Sequence, residues 1–153
     1  MNGKGAGFSL VLLRIAVGWL FLYSGAVKLL NSEWSAAGYL VSAKTFQSFY
    51  KILAGPEYLD WINFLNMWGQ TIMGVMLILG IGVFIASLGG FIMMILYYFP
   101  VLEFPYIGAH SYIVDEHIIY ALVFLVFIFY SAGQYWGIDG IIWRSVLPNK
   151  KRF

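Results

Sequence analysis

The stretch LVLLRIAVGWLFLYSGAVKLL, residues 10–30, limits what this chain can become. It is long and apolar enough to cross a bilayer, which takes about 17 to 25 residues of helix. It also carries two cations, Arg14 and Lys28. At helical spacing Arg14, Gly18, Phe21, Gly25 and Lys28 fall on one stripe, at steps of 4, 3, 4 and 3. Two charges and two glycines on one stripe do not suit lipid. Glycines let helices approach closely, and charges at membrane depth turn inward or reach for the interface. The stripe predicts a helix that other helices pack against. The two cations stand about 21 Å apart at 1.5 Å per residue, near opposite faces of the membrane.

The rest of the chain fits an integral membrane protein. Of its 153 residues 61% are hydrophobic and 10% charged, against about 25% charged in a soluble domain. One membrane domain over 1–153 is expected. Spans are read at about 8–30, 59–79, 83–99 and 117–135, with Gly80-Ile81-Gly82 as a tight hairpin and Pro100 ending the third. The first run is read as a retained span rather than a cleaved signal peptide. The fold class is all-α: a four-helix membrane bundle with an additional amphipathic helix at about 34–54. In that helix Tyr39, Ala43, Phe46, Tyr50 and Leu53 share one side, and it is placed in the interface. The apolar link at 100–117 is expected to fold over the bundle end or dip into the interface.

The basic residues Lys4, Arg144, Lys150, Lys151 and Arg152 cluster at the two termini, the last four in a tail at 141–153. By the positive-inside rule both termini are cytoplasmic, in a multi-pass protein of the plasma membrane. No basic patch with interleaved aromatics points to nucleic acid. With no cysteine in the chain, disulfides, thiolate catalysis and cysteine metal sites are excluded. The two histidines, His110 and His117, match no metal or haem spacing, so no metal site is assigned.

Each long span bears a polar stripe. On span two Asp60, Asn63, Met67, Gln70 and Gly74 line up; on span four His117, Tyr120, Phe124, Phe127, Ser131 and Gln134 do. At the outward end these bring Lys28, Asp60, Asn63, Asp115, Glu116 and His117 to one depth. Lys28, Asp115, Glu116 and His117 are the candidate catalytic residues. Arg14, Asp60, Asn63, Gln70 and Tyr120 are the candidate substrate or quinone contacts. Plainer roles compete: snorkelling for both cations, helix capping for Asp115 and Glu116, and interhelical hydrogen bonding for Asn63 and Gln70.

The runs LLRIAVGWLFLYSGAVKLL, EWSAAGYL, WGQTIMGVMLILG and VDEHIIYALVFLVFIFYSAGQYWGIDG resemble the DoxX/DoxD-like membrane proteins. An R-x3-G-x6-G-x2-K stripe and an acid-led last span ending in G-x3-G-x-D carry the resemblance. It implies a four-helix, redox-associated membrane subunit. One branch couples thiosulfate oxidation to quinone reduction, which would make quinone the co-substrate and a second redox subunit the partner. Whether this chain is itself the enzyme stays open. The alternative is a non-catalytic anchor for a redox or sulfur-handling complex, with a soluble partner on the outer side or a second copy of the chain. A small transporter is a further alternative.

Overall fold

The computed structural model describes residues 3–107 and 111–146. Helices make up most of this chain. α1 (Gly3–Leu30) is followed by two short helices, α2 (Ala37–Val41) and α3 (Gln47–Leu53). α4 (Leu59–Phe64) continues through a π-helical turn at Leu65–Gly69 into α5 (Gln70–Leu79). α6 (Val83–Val101) leads into three two-residue strands, β1 (Leu102–Glu103), β2 (Tyr106–Ile107) and β3 (Ser111–Tyr112). α7 (Glu116–Phe129), a 3-10 turn at Ala132–Gln134 and α8 (Ile138–Val146) complete it.

Three helices are long and apolar enough to cross a membrane: Gly5–Leu30, Leu59–Leu79 and Val83–Val101. Their outward faces carry bare side chains such as Leu12, Trp19, Ile72 and Ile85, which places lipid against them. The expected fourth span, 117–135, is shorter than read: α7 stops at Phe129 after 14 residues. Ser131 and Trp136 then take left-handed backbone conformations (φ 48° and 49°). The helix ends there, and the bend turns the following carbonyls toward α1. Arg14 Nη1 donates to Ala132 O at 2.6 Å and to Tyr135 O at 3.1 Å.

α1 packs on α5, α5 on α6 and α6 on α7. The α1–α5 seam is backbone against backbone. A Cβ on Gly74 would strike Leu22 N and lie 2.6 Å from Leu22 Cα, and one on Gly25 would lie 2.5 Å from Thr71 N. Below the seam Val17, Phe21, Leu77, Val83, Phe124 and Phe127 form the main core. Phe21 meets Phe124 edge to face at 5.2 Å, joining α1 to α7 across the middle.

The α5–α6 turn needs Gly80 and Gly82, both at positive φ (68° and 58°). The segment after α7 straps down on it. Asp139 accepts from Gly82 N at 2.7 Å and Val83 N at 3.0 Å, capping α6 from a distance, and Asp139 N donates to Gly80 O at 2.8 Å. Residues 138–146, expected in part as a basic tail, are therefore helical; 147–153 lie outside the described residues.

At the other end, the single amphipathic helix expected at 34–54 is two short helices with a break between them. The break follows from what this segment bonds to. Pro100 sits inside the last turn of α6 and has no N–H for Leu96 O; Tyr50 Oη donates there instead, at 2.9 Å. Lys44 N donates to Pro100 O at 2.9 Å and Thr45 Oγ1 to Leu102 O at 2.6 Å. The segment caps α6, and a straight helix could not follow that path. Ala36, Leu40, Ala43 and Tyr50 are buried in the small core this creates. The link at 100–117 forms the antiparallel sheet β1–β2–β3, with Leu102 opposite Ile107 and Tyr106 opposite Tyr112.

Gly74→Ala should therefore lower unfolding stability by about 1–3 kcal/mol, the usual effect of overpacking a tight contact. Gly38→Ala, where a Cβ meets nothing within 4 Å, should be neutral or stabilise α2 by about 0.5–1 kcal/mol. Thermal unfolding in detergent checks both.

Candidate functional site

A cavity of about 780 Å³ opens where the C-terminal end of α1, the first-loop helices, the π turn, the end of α6 and the start of α7 meet. Most of its wall is apolar, from Leu40, Leu53, Met73, Ile92, Met93 and Leu96. The polar groups converge on Gln70, which is 3% exposed. Lys28 Nζ donates to Gln70 Oε1 at 2.6 Å and Ser24 Oγ to the same oxygen at 3.2 Å. Gln70 Nε2 donates to Tyr97 Oη at 3.4 Å, and Tyr97 Oη donates in turn to Asn66 Oδ1. Lys28 Nζ also stands 5.0 Å from the Trp34 ring centre and 5.8 Å from that of Tyr97, within cation–π range. No carboxylate among the described residues pairs with it.

The π turn positions this network. Such a turn inserts one residue into the helix and rotates everything beyond it. Asn66 Nδ2 donates to Ile62 O at 2.8 Å and Thr71 Oγ1 to Met67 O at 2.8 Å, satisfying carbonyls around the bulge. The stripe expected on span two is broken as a result: Asn66, not Met67, joins Gln70. Asn63, one turn earlier, faces the first loop, accepting from Ala36 N at 2.9 Å.

Across the cavity, Asp115 caps α7. Its Oδ1 accepts from His117 N at 3.0 Å and Ile118 N at 3.2 Å. Its Oδ2 lies 2.6 Å from His117 Nδ1. The His117 ring is edge-on to Tyr97, with centres 6.0 Å apart. Lys28 and His117 thus both lie near the Tyr97 ring. Burial pushes the phenols of Tyr39 and Tyr50 above their usual range, so both remain neutral donors holding α2 and α3 to α6.

Of the residues singled out from sequence, Lys28, Glu116 and His117 line the cavity. Gln70 and Asp115 hold two of them in place. Asn63 stands one layer behind. Asp60 is exposed in the first turn of α4, and Tyr120 packs half-buried against the main core, away from the cavity. Arg14 is at the opposite end, 1% exposed and bonded to backbone carbonyls, where it serves the fold. His110 lies outside the described residues. Sequence reasoning missed Tyr97, Asn66 and Ser24, and assigned Trp34 to the headgroup belt. Asn66 and Ser24 each precede a recognised residue by four positions, a helical neighbour signal. Among the described residues no group of three or more histidine, aspartate or glutamate side chains could hold a metal.

These features define a multi-pass helical membrane protein with a polar-centred cavity at one end. The DoxX family model matches residues 9–102, well over half the chain, and the protein belongs to that family. The match runs from α1 to the end of α6 and stops short of the Asp115–His117 pair and the strap. No curated protein and no solved structure matches the chain.

Arg14→Gln should lower stability by about 2–3 kcal/mol, since it breaks charge-assisted bonds to buried carbonyls. It should leave ligand binding at the distant cavity unchanged. Thermal unfolding together with a binding titration separates the two effects.

Proposed function

We propose that this chain is a redox-associated membrane subunit whose cavity takes the headgroup of a lipid-soluble quinone. The observation that carries the reading is Lys28: a cation without a carboxylate partner among the described residues, held by Gln70 and two aromatic rings in the wall of a mostly apolar cavity. The volume suits a small organic ligand. The apolar walls suit an isoprenoid-bearing ring, and the ammonium suits a ring oxygen. His117 would meet the ligand from the α7 side, and Glu116 stands at the cavity edge.

In this reading α7 and the turn after it complete a fourth crossing, giving an antiparallel four-helix bundle with the α2–α3 segment in the interface. The basic termini favour a cytoplasmic location for both ends, with the cavity then at the outer side of the plasma membrane. The chain has no cysteine, so electrons would arrive from a donor such as a sulfur oxyanion or from a second subunit. The exposed aromatic side chains of the small sheet, Phe104, Tyr106 and Tyr112, favour a second reading, in which this surface docks an outer partner and the chain acts as its anchor.

Lys28→Met should weaken binding of decylubiquinone, measured by titration in lipid nanodiscs, by about ten- to a hundredfold, the value of one charge-assisted hydrogen bond. Wild-type affinity in that variant would refute the assignment.

A further inference from the structure

The Asp115–His117 pair has a polarity that the cavity reading leaves unused. Asp115 Oδ1 is occupied by two backbone N–H groups at the start of α7, which fixes the carboxylate in place. Its other oxygen sits 2.6 Å from His117 Nδ1. A carboxylate only accepts, so Nδ1 carries the hydrogen. In the neutral ring the lone pair therefore lies on Nε2, which has no hydrogen-bond partner among the described residues. The side chains are 8% and 18% exposed, and His117 lines the cavity. Nε2 is thus an acceptor when the ring is neutral and a donor when it is protonated. Lys28, near the same Tyr97 ring, is a donor in the form that binds an oxygen.

We propose that His117, oriented by Asp115, makes the cavity selective for the redox state of its quinone and makes that selectivity depend on pH. The inference rests on the quinone reading above. A quinone carbonyl can only accept, so it pairs with Nε2 of the imidazolium, and its binding takes up a proton. A quinol hydroxyl can donate, so it pairs with Nε2 of the neutral ring. Lys28 contributes to both, because carbonyl and hydroxyl oxygens each accept from an ammonium. Lys28 supplies affinity and His117 supplies discrimination. The other groups facing this pair are Glu116 on α7 itself, Lys28 on α1, Tyr39 on α2, and Tyr97 and Tyr98 on α6. The phenol of Tyr39 stays protonated throughout. Glu116 is exposed and its charge is screened by water.

The test is a titration of the protein in nanodiscs with decylubiquinone and, under anaerobic conditions, decylubiquinol, from about pH 5 to 7, where imidazoles ordinarily change charge. For the wild type, quinone affinity should fall as pH rises across this window, by at most about tenfold per pH unit, the limit for one linked proton. Quinol affinity should hold or rise over the same range. Asp115→Asn keeps a good helix cap but turns its amide NH2 toward Nδ1. The neutral ring then carries its hydrogen on Nε2, and quinone binding should stay strong and flat with pH. His117→Gln should remove the pH dependence for both forms. If the wild type binds neither form at any pH, the quinone reading itself fails. If both forms bind with parallel pH profiles, or Asp115→Asn keeps the wild-type profile, the quinone reading stands and this inference is overturned.

Discussion

A cation within a bilayer must find acceptors inside the protein or reach the interface, and α1 carries two of them about 21 Å apart. Much of the fold follows from how each is met. Arg14 is met by backbone: Ala132 O and Tyr135 O are turned toward it because α7 ends early and the chain bends through two left-handed residues. The same bend delivers Asp139 to the start of α6. One buried guanidinium thereby organises an entire end of the molecule. Lys28 is met differently, by a single side-chain oxygen on Gln70 and the faces of two aromatic rings. Arg14 is enclosed by structure, whereas Lys28 borders a cavity.

The two ends are held in register by the α1–α5 seam. Its glycines allow the backbones to touch, and that closeness brings Gln70 within reach of Lys28 and Ser24. The π turn just before Gln70 then rotates α4 away from the seam, freeing Asn63 to hold the first loop and Asn66 to join the network. A regular helix through 59–79 would have put Met67 where Asn66 now stands, and the network would lose its link to Tyr97.

Periodicity found what periodicity can find. The R-x3-G-x6-G-x2-K stripe marked the packing face of α1, and both pieces of the G-x3-G-x-D tail proved to be in contact with it or with the turn beside it. The three long spans were legible from length and hydropathy alone. What was hidden depended on tertiary bonds. The break at 42–46 exists because α6 contains Pro100 and its carbonyls need donors from elsewhere. The early end of α7 goes with a bend that turns its next carbonyls to Arg14. Asp60 was placed in the site by a stripe that assumed 3.6 residues per turn, and the π turn cancels that assumption. Tyr97 escaped notice because an aromatic at a span end reads as belt; only its bond to Asn66 and its closeness to both Lys28 and His117 give it a different role.

The central claim is that the cavity beside Lys28 holds a quinone ring. Photolabelling with an azido-quinone in native-like membranes, followed by peptide mapping, tests it directly. The account predicts label concentrated on the segments that wall the cavity, around Trp34–Tyr39, Leu96–Tyr97 and Glu116–His117, and its loss when unlabelled quinone is in excess. Label spread along the lipid-facing sides of α1, α5 and α6, or centred near Arg14, would contradict it.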